Sequence, residues 1–558
     1  MSNTTVDRET SPASLSTVDR ETSPASLSTA ELRTKLLQSR DGAPSATQKP
    51  SANASGHGVV RNALASYLSS VIGMVTGFVV TPILIRNLGM DNFGLWVLLG
   101  SVAGYISLIE AGIGTATVKR VAECRATGDQ KRLDEVLGTA FALYLAICGI
   151  VLMVTAVLFF YVAPLFHLPA GKVDMARMCL LALGANQAIG FVFAVQSAIL
   201  FGSGRFDLMT GLGVVVTTVS SIAQAILVLS GYGIAALAGT VIASTIVTGC
   251  VSRRIIGKYL PGTSVHLRHA KGKMARELIK FGSRNSIIAV CSAVAFYADT
   301  LIIGMFLPIA NVAHYAVASK LTNLVRTVAT KPIDVLMPVY AHSHALKDTD
   351  RQFRLFTESV NLSLVLAVPF VIVLSVFGDR IIQAWAGAGH YASYPILVVL
   401  ALMLALQLQG HANFAILTAT EKNEFLIKVT ICSAVLNVVL SVILTRALGA
   451  IGPALGSLFT VAVADTLVLP ITTCRRLGFS YKRYLSRSIK PLLLPTGVVV
   501  AMALVLRIYS TPYGVFGVLL SATLSLGMFW LIWFHYGVEP ERKSSYMARI
   551  QAALGRSR

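Results

Sequence analysis

The sequence predicts an all-α, polytopic membrane protein of about fourteen transmembrane helices, arranged as two six-helix bundles with two further helices at the C-terminal end. Three observations carry that expectation. Of the 558 residues, 54% are hydrophobic and 13% charged, with a mean hydropathy of +0.69, far from the usage of soluble domains. From Asn62 to Tyr536, apolar runs of about 20 residues alternate with short polar breaks, and that is the length a helix needs to cross a bilayer. Lys and Arg collect in alternate breaks, the pattern of loops retained in the cytoplasm.

Residues 1–58 come first, a Ser/Thr/Pro/Ala-rich stretch in which TVDRETSPASLS, at 5–16, recurs unchanged at 17–28. Such a segment has too little apolar surface to fold, so a disordered cytoplasmic tail is expected, and it holds no apolar core of signal-peptide length. The spans then fall at 62–86, 94–117, 136–163, 175–200, 210–230, 233–251, 281–305, 312–340, 357–377, 393–418, 424–446, 451–473, 489–508 and 513–536. They divide into a first bundle at 59–251, a basic cytoplasmic linker at 252–280, a second bundle at 281–473, two appended helices at 474–536 and a basic cytoplasmic tail at 537–558.

Orientation follows from charge. With the N-terminus inside, 38 of the 47 Lys and Arg are cytoplasmic, and only Arg86, Lys172, Arg177, Arg380, Arg446 and Arg507 fall outside. Both termini are then cytoplasmic. The net charge of +21 would suggest nucleic acid in a soluble chain; here it reads as topology, and no nucleic-acid partner is expected. The seven cysteines are scattered without metal-ligand spacing, so they are read as packing residues, with no metal and no cofactor. The two halves resemble each other in layout. Arg61-Asn62 and Arg284-Asn285 open spans 1 and 7, and Asp129 and Asp348 stand in matching polar loops, as in transporters built from repeats.

Span 8 is the exception to apolarity. It carries Lys320, Arg326, Lys331 and Asp334 at membrane depth, where an ionisable group must face protein, water or a ligand. At about 100° per residue, Lys320, Asn323, Thr327, Lys331 and Asp334 share one side, and Arg326 lies off it. Pro332 is expected to kink the helix beside Lys331. The stripe is read as a cavity wall for an anionic ligand, with Lys as a mobile point charge and Arg able to hold a phosphate bidentately. Asp299 matches Lys320 in depth, so Lys320 is read as a structural ion pair with Asp299, as a ligand contact, or as both. Glu110, before a Gly-rich turn, is read either as bonding a backbone group or capping a neighbour, or as pairing with Lys331 across the empty cavity and binding a proton once an anion takes over the Lys. Asp465, and His411 just after Gln407 and Gln409, are packing or cavity groups, and Asp334 and Asp465 are further read as coupling or charge-pair groups. Arg61, Lys119, Arg120 and Arg284 at inner mouths either guide an anion inward or anchor the chain by charge.

The run Thr81–Ala122 has Pro82, the Arg86-x-Leu88-Gly89 turn, the Phe93-Gly94 pair, and Glu110 ahead of Gly112-Ile113-Gly114. It resembles the first helix pair of the Wzx polysaccharide flippases, of the multidrug/oligosaccharidyl-lipid/polysaccharide exporter superfamily, which more often have Tyr at position 93 and Asp at position 110. The resemblance implies two six-helix bundles around a cavity that opens alternately to either side. It implies an undecaprenyl-diphosphate-linked oligosaccharide as cargo, moved across a bacterial inner membrane for exopolysaccharide or lipopolysaccharide synthesis, with membrane lipid and polysaccharide polymerase machinery as partners. Two alternatives stay open, a peptidoglycan lipid-precursor flippase and a cation-coupled multidrug exporter of the same superfamily. An enzyme is not expected, because the outer loops are short and no P-loop, H-E-x-x-H or G-x-S-x-G stands in a suitable context.

Overall fold

A computed structural model of the chain describes residues 56–110, 112–387, 389, 391–420, 423–509, 514–538 and 543. The duplicated tail lies outside the described residues, and so do most of the last 20. The chain divides at Val60. Of the short N-terminal unit only the first turn of a helix is described, and the membrane helices belong to the unit that begins at Arg61.

Among the described residues there are helices and no strands. The N-terminal half contains α1 (Gly56–Leu88), α2 (Met90–Ser107), α3 (Ile113–Thr127), α4 (Gln130–Leu165), α5 (Ala170–Gly202), α6 (Phe206–Leu229) and α7 (Gly233–Tyr259). The second half contains α8 (Gly272–Phe306), α9 (Ala310–Ala329), α10 (Lys331–Ala345), α11 (Thr349–Ala386), α12 (Ser393–Ala419), α13 (Asn423–Leu448), α14 (Gly452–Val463) and α15 (Leu469–Leu477). A short α16 (Tyr481–Ser488) leads to α17 (Lys490–Tyr509) and α18 (Gly514–Ile532). The protein is a multi-pass membrane protein.

Twelve stretches among the described residues are long and apolar enough to cross a membrane. Two features separate this number from the fourteen spans expected. The stretch Phe425–Leu477 turns back at Gly449–Ile451 and so holds two expected spans, 424–446 and 451–473. The expected span 312–340 is not among the twelve, since Lys320, Arg326, Lys331 and Asp334 lower its hydropathy.

Two expected spans are each broken into two helices. The 94–117 run ends α2 at Ser107, passes through a 3-10 turn at Leu108–Glu110 and restarts at Ile113. Gly112 makes that restart possible, with φ of 93° in the left-handed region that a side chain disfavours. The 312–340 run breaks at Thr330, and Pro332 stands in the first turn of α10, where its missing N–H costs no helical bond. Asp129 and Asp348 have the same local task. Each carboxylate accepts the backbone N–H three residues on, from Arg132 and Arg351 at 2.9 Å, and so starts α4 and α11.

The helices of the two halves have matching neighbours. In the first half α4 packs on α5, α5 on α7, α6 on α7 and α3 on α5; in the second, α11 packs on α12, α12 on α14, α13 on α14 and α10 on α12. One relation is not repeated: α8 packs on α13 and α14, whereas α1 has no comparable contact with α6 or α7 among the described residues. The appended α17 and α18 pack on α11. Arg507 holds Asp379 with two hydrogen bonds, at 2.8 and 3.1 Å, and Trp530 Nε1 donates to the Val365 carbonyl at 3.1 Å.

Candidate functional site

Small residues let the halves meet closely. A Cβ on Gly94 would lie 2.4 Å from the Ile309 carbonyl oxygen, one on Gly104 would fall 2.5 Å from the Tyr297 ring, and one on Gly112 would fall 2.4 Å from the Gly282 oxygen. α2 and α3 are thereby seated on α8 and α9, the close approach for which membrane helices use small residues. At the end of this seam that charge assigns to the cytoplasm, Arg120 holds Glu123 and Glu277, both at 2.5 Å, and Lys271 holds Glu135. Lys119 stands 4.3 Å from the Phe281 ring centre. Two of the expected entrance cations are thus engaged in the seam. Arg61 and Arg284 lie on α1 and α8, outside the residues whose side chains are described.

A cavity of about 730 Å³ opens among α8, α9, α10, α12, α13 and α14. Its cationic wall comes from the broken helix pair, with Asn323, Arg326 and Thr327 on α9 and Lys331 at the start of α10. Arg326, set off the polar stripe by the helical projection, faces this cavity. It shares its helical face with Ser319, Thr322 and Thr330, which also line the space. Arg326 is half-buried; its guanidinium stands 5.4 Å from the Phe296 ring centre and has no carboxylate within ion-pair distance among the described residues. Lys320 does not line the cavity. It leaves the flank of α9 toward α1, where a Cβ on Gly77 would sit 3.2 Å from its Nζ.

Asp299, which lines the cavity, and Glu110 take partners other than the cations considered for them. Asp299 is buried and makes no ion pair with Lys320; it accepts hydrogen bonds from Tyr315 Oη at 2.6 Å, Ser457 Oγ at 2.7 Å and Ser441 Oγ at 3.0 Å. Three neutral donors from α9, α14 and α13 replace the single cation, which satisfies a buried carboxylate. Glu110 accepts from Tyr144 Oη on α4 at 2.8 Å and folds back over Gly114, away from the cavity that Lys331 lines. Asp334 pairs with His411 Nε2 at 2.9 Å, and His411 and Gln407 reach the cavity from α12.

Asp465 faces the same cavity from a π-helical turn, Ala464–Val468, that interrupts the helix between α14 and α15. Its carboxylate lies against Gly410, where an added Cβ would sit 2.2 Å from Asp465 Cγ. Single π turns inside helices often mark functional positions. Sequence reading missed this notch and the hydroxyls around Asp299, because nothing distinguishes Ser441, Ser457 or Gly410 from the many other small residues of membrane helices.

The cavity is thus lined by the cations Arg326 and Lys331, the carboxylates of Asp299 and Asp465, and neutral hydrogen-bonding groups, at a depth where lipid accepts none of them. A family model described as "Polysaccharide biosynthesis protein" matches residues 59–344, more than half of the chain. The chain belongs to this polysaccharide biosynthesis protein family. The match agrees with the resemblance carried by Thr81–Ala122. The chain is 22% identical over 428 residues to "Uncharacterized membrane protein EpsK" of Bacillus subtilis, covering 74% of this chain and 82% of that one. It is 22% identical over 412 residues to "Probable low-salt glycan biosynthesis flippase Agl15" of Haloferax volcanii, covering 73% and 82%. Among solved structures, the lipid II flippase MurJ in an inward closed conformation matches with a TM-score of 0.67 at 14% identity, over 85% of this chain and 99% of that one. An inward-facing multidrug resistance MATE family transporter of the MOP superfamily matches at 0.63 and 16% identity, over 75% and 99%. This family member therefore has the fold of the MOP transporters.

Proposed function

We propose that this polysaccharide biosynthesis protein moves undecaprenyl-diphosphate-linked oligosaccharide units from the inner to the outer leaflet of a bacterial inner membrane, by alternating access between two six-helix bundles, 59–251 and 281–473. The observation that carries the reading is Arg326, a guanidinium at membrane depth without a carboxylate partner among the described residues, in one wall with Asn323, Thr327 and Lys331. A cation so placed costs several kcal/mol unless an anion or water meets it. A diphosphate meets it well, because the planar guanidinium bonds two phosphate oxygens at once while the ammonium of Lys331 follows as a point charge. The polyprenyl tail stays in lipid. The family and the names of the relatives support the same cargo class.

The test is binding by the full-length protein in nanodiscs. Undecaprenyl diphosphate is expected to bind, and the lipophilic cation tetraphenylphosphonium is not. Binding of the cation without the lipid would favour the multidrug reading and contradict this one.

Topology is part of the proposal. Lys172 pairs with Asp91 at 2.7 Å, joining the first turns of α5 and α2 at the end that charge assigns to the outside, and the Lys271–Glu135 pair joins the residue before α8 to the start of α4 at the end assigned to the cytoplasm. In intact cells, cysteines placed at Lys172 and Arg380 are expected to react with an impermeant maleimide, and cysteines at Lys271 and Arg483 only after permeabilisation. An externally reactive position 271 would invert the model of both termini inside.

A further inference from the structure

A second cleft, of about 410 Å³, lies between α5, α6 and α7 in the first half. By neighbour order, α5–α6–α7 corresponds to α12–α13–α14, part of the wall of the cationic cavity, and among the described residues no helix has the extensive packing here that α8 has on α13. Among the described residues the lining contains no charged side chain and is dominated by hydroxyls. In a membrane helix a Ser or Thr hydroxyl ordinarily bonds the carbonyl four residues before it, as Thr155, Thr240, Thr460 and Ser525 do in this chain. Ser197, Thr217, Ser220, Ser221 and Gln224 line the cleft and take part in no such bond among the described residues. On the same cleft, the Phe193 ring lies over Gly249, where a Cβ would fall 2.2 Å from the ring.

We propose that this cleft is a subsite for the uncharged sugar part of the cargo, an inference that rests on the reading of the cationic cavity as the diphosphate site. Unbonded hydroxyls and a carboxamide beside an aromatic ring fit the hydroxyls and apolar face of a neutral pyranose. They fit a polyprenyl chain poorly, since a hydrocarbon would leave each of these polar groups without a partner. The two halves then divide one cargo by chemistry, charge to the second half and hydroxyls to the first.

The test compares two probes on full-length protein in nanodiscs: lipid-linked oligosaccharide isolated from the cells that express the chain, and bare undecaprenyl diphosphate. The triple variant Ser220→Ala/Ser221→Ala/Gln224→Leu is expected to weaken the glycosylated lipid about tenfold, the effect of losing one or two hydrogen bonds, and to leave the bare lipid unchanged. Gly213→Leu gives an independent arm, because a side chain there enters the cleft with nothing within 4 Å. It is expected to give the same selective loss. Unchanged affinity for the glycosylated lipid in both variants, or parallel loss of both lipids, overturns the subsite. Failure of the wild-type protein to bind either lipid overturns the diphosphate reading itself, and the subsite with it.

Discussion

Arg326→Ala is expected to lower translocation of lipid-linked oligosaccharide about a hundredfold, with an unchanged amount of protein in the membrane. Removing one partner of a desolvated, hydrogen-bonded charge pair costs about 2–5 kcal/mol, and among the described residues Arg326 has no carboxylate within ion-pair distance whose burial would become the dominant penalty. The loss should therefore appear in cargo affinity and transport, not in folding. Arg326→Lys keeps the charge and loses the bidentate geometry, so an intermediate rate is expected. Lys320→Ala supplies the contrast. Its ammonium lies beside Gly77 and outside the cavity lining, and a change of less than about threefold is expected from its weaker, water-screened field at that distance. The measurement is the initial rate of appearance of labelled cargo in the outer leaflet, normalised to protein. Equal losses for Arg326→Ala and Lys320→Ala would remove the distinction between the two faces of α9.

Gly112→Val is expected to destabilise the protein by about 2–6 kcal/mol. Two costs combine. A β-branched residue at φ of 93° stores about 1–3 kcal/mol of strain. The new side chain must also displace Ser286 Oγ, 2.2 Å from the Cβ position, and the Gly282 carbonyl, 2.4 Å from it, and overpacking of this kind costs about 1–3 kcal/mol. Gly128→Val is the control, because Gly128 also has positive φ, 70°, but its Cβ position is open. Thermal unfolding in detergent should show a clearly lower midpoint for Gly112→Val than for Gly128→Val. Equal midpoints would mean that the α3–α8 seam yields easily and that the Gly-Ile-Gly motif serves something other than close packing.

The membrane class and most helices were legible in the sequence because the hydrocarbon layer imposes one length and one composition on everything that crosses it. The break before Lys331 was legible too, since Pro332 announces it, and so was the polar wall of Asn323, Thr327 and Lys331. The facing of Arg326 was not. A helical projection gives angles within one helix, but which arc meets protein depends on the neighbours, and here α8 and α12–α14 cover the arc of Ser319, Thr322 and Arg326. The same limit explains Asp299. Matched depth suggested Lys320 as its partner, yet three hydroxyls from three helices supply its hydrogen bonds. Asp465 depends on a π turn and on the absence of a side chain at Gly410, and neither leaves a periodic trace.

Reconstituted translocation tests the central claim most directly. Proteoliposomes holding only this protein, loaded with headgroup-labelled undecaprenyl-diphosphate-linked oligosaccharide, report cargo that reaches the opposite leaflet as label accessible to an impermeant quencher, with membrane potential and proton gradient imposed separately. The account predicts protein-dependent movement that Arg326→Ala reduces about a hundredfold. Label that stays inaccessible under both gradients, or movement at the wild-type rate by Arg326→Ala, would contradict it.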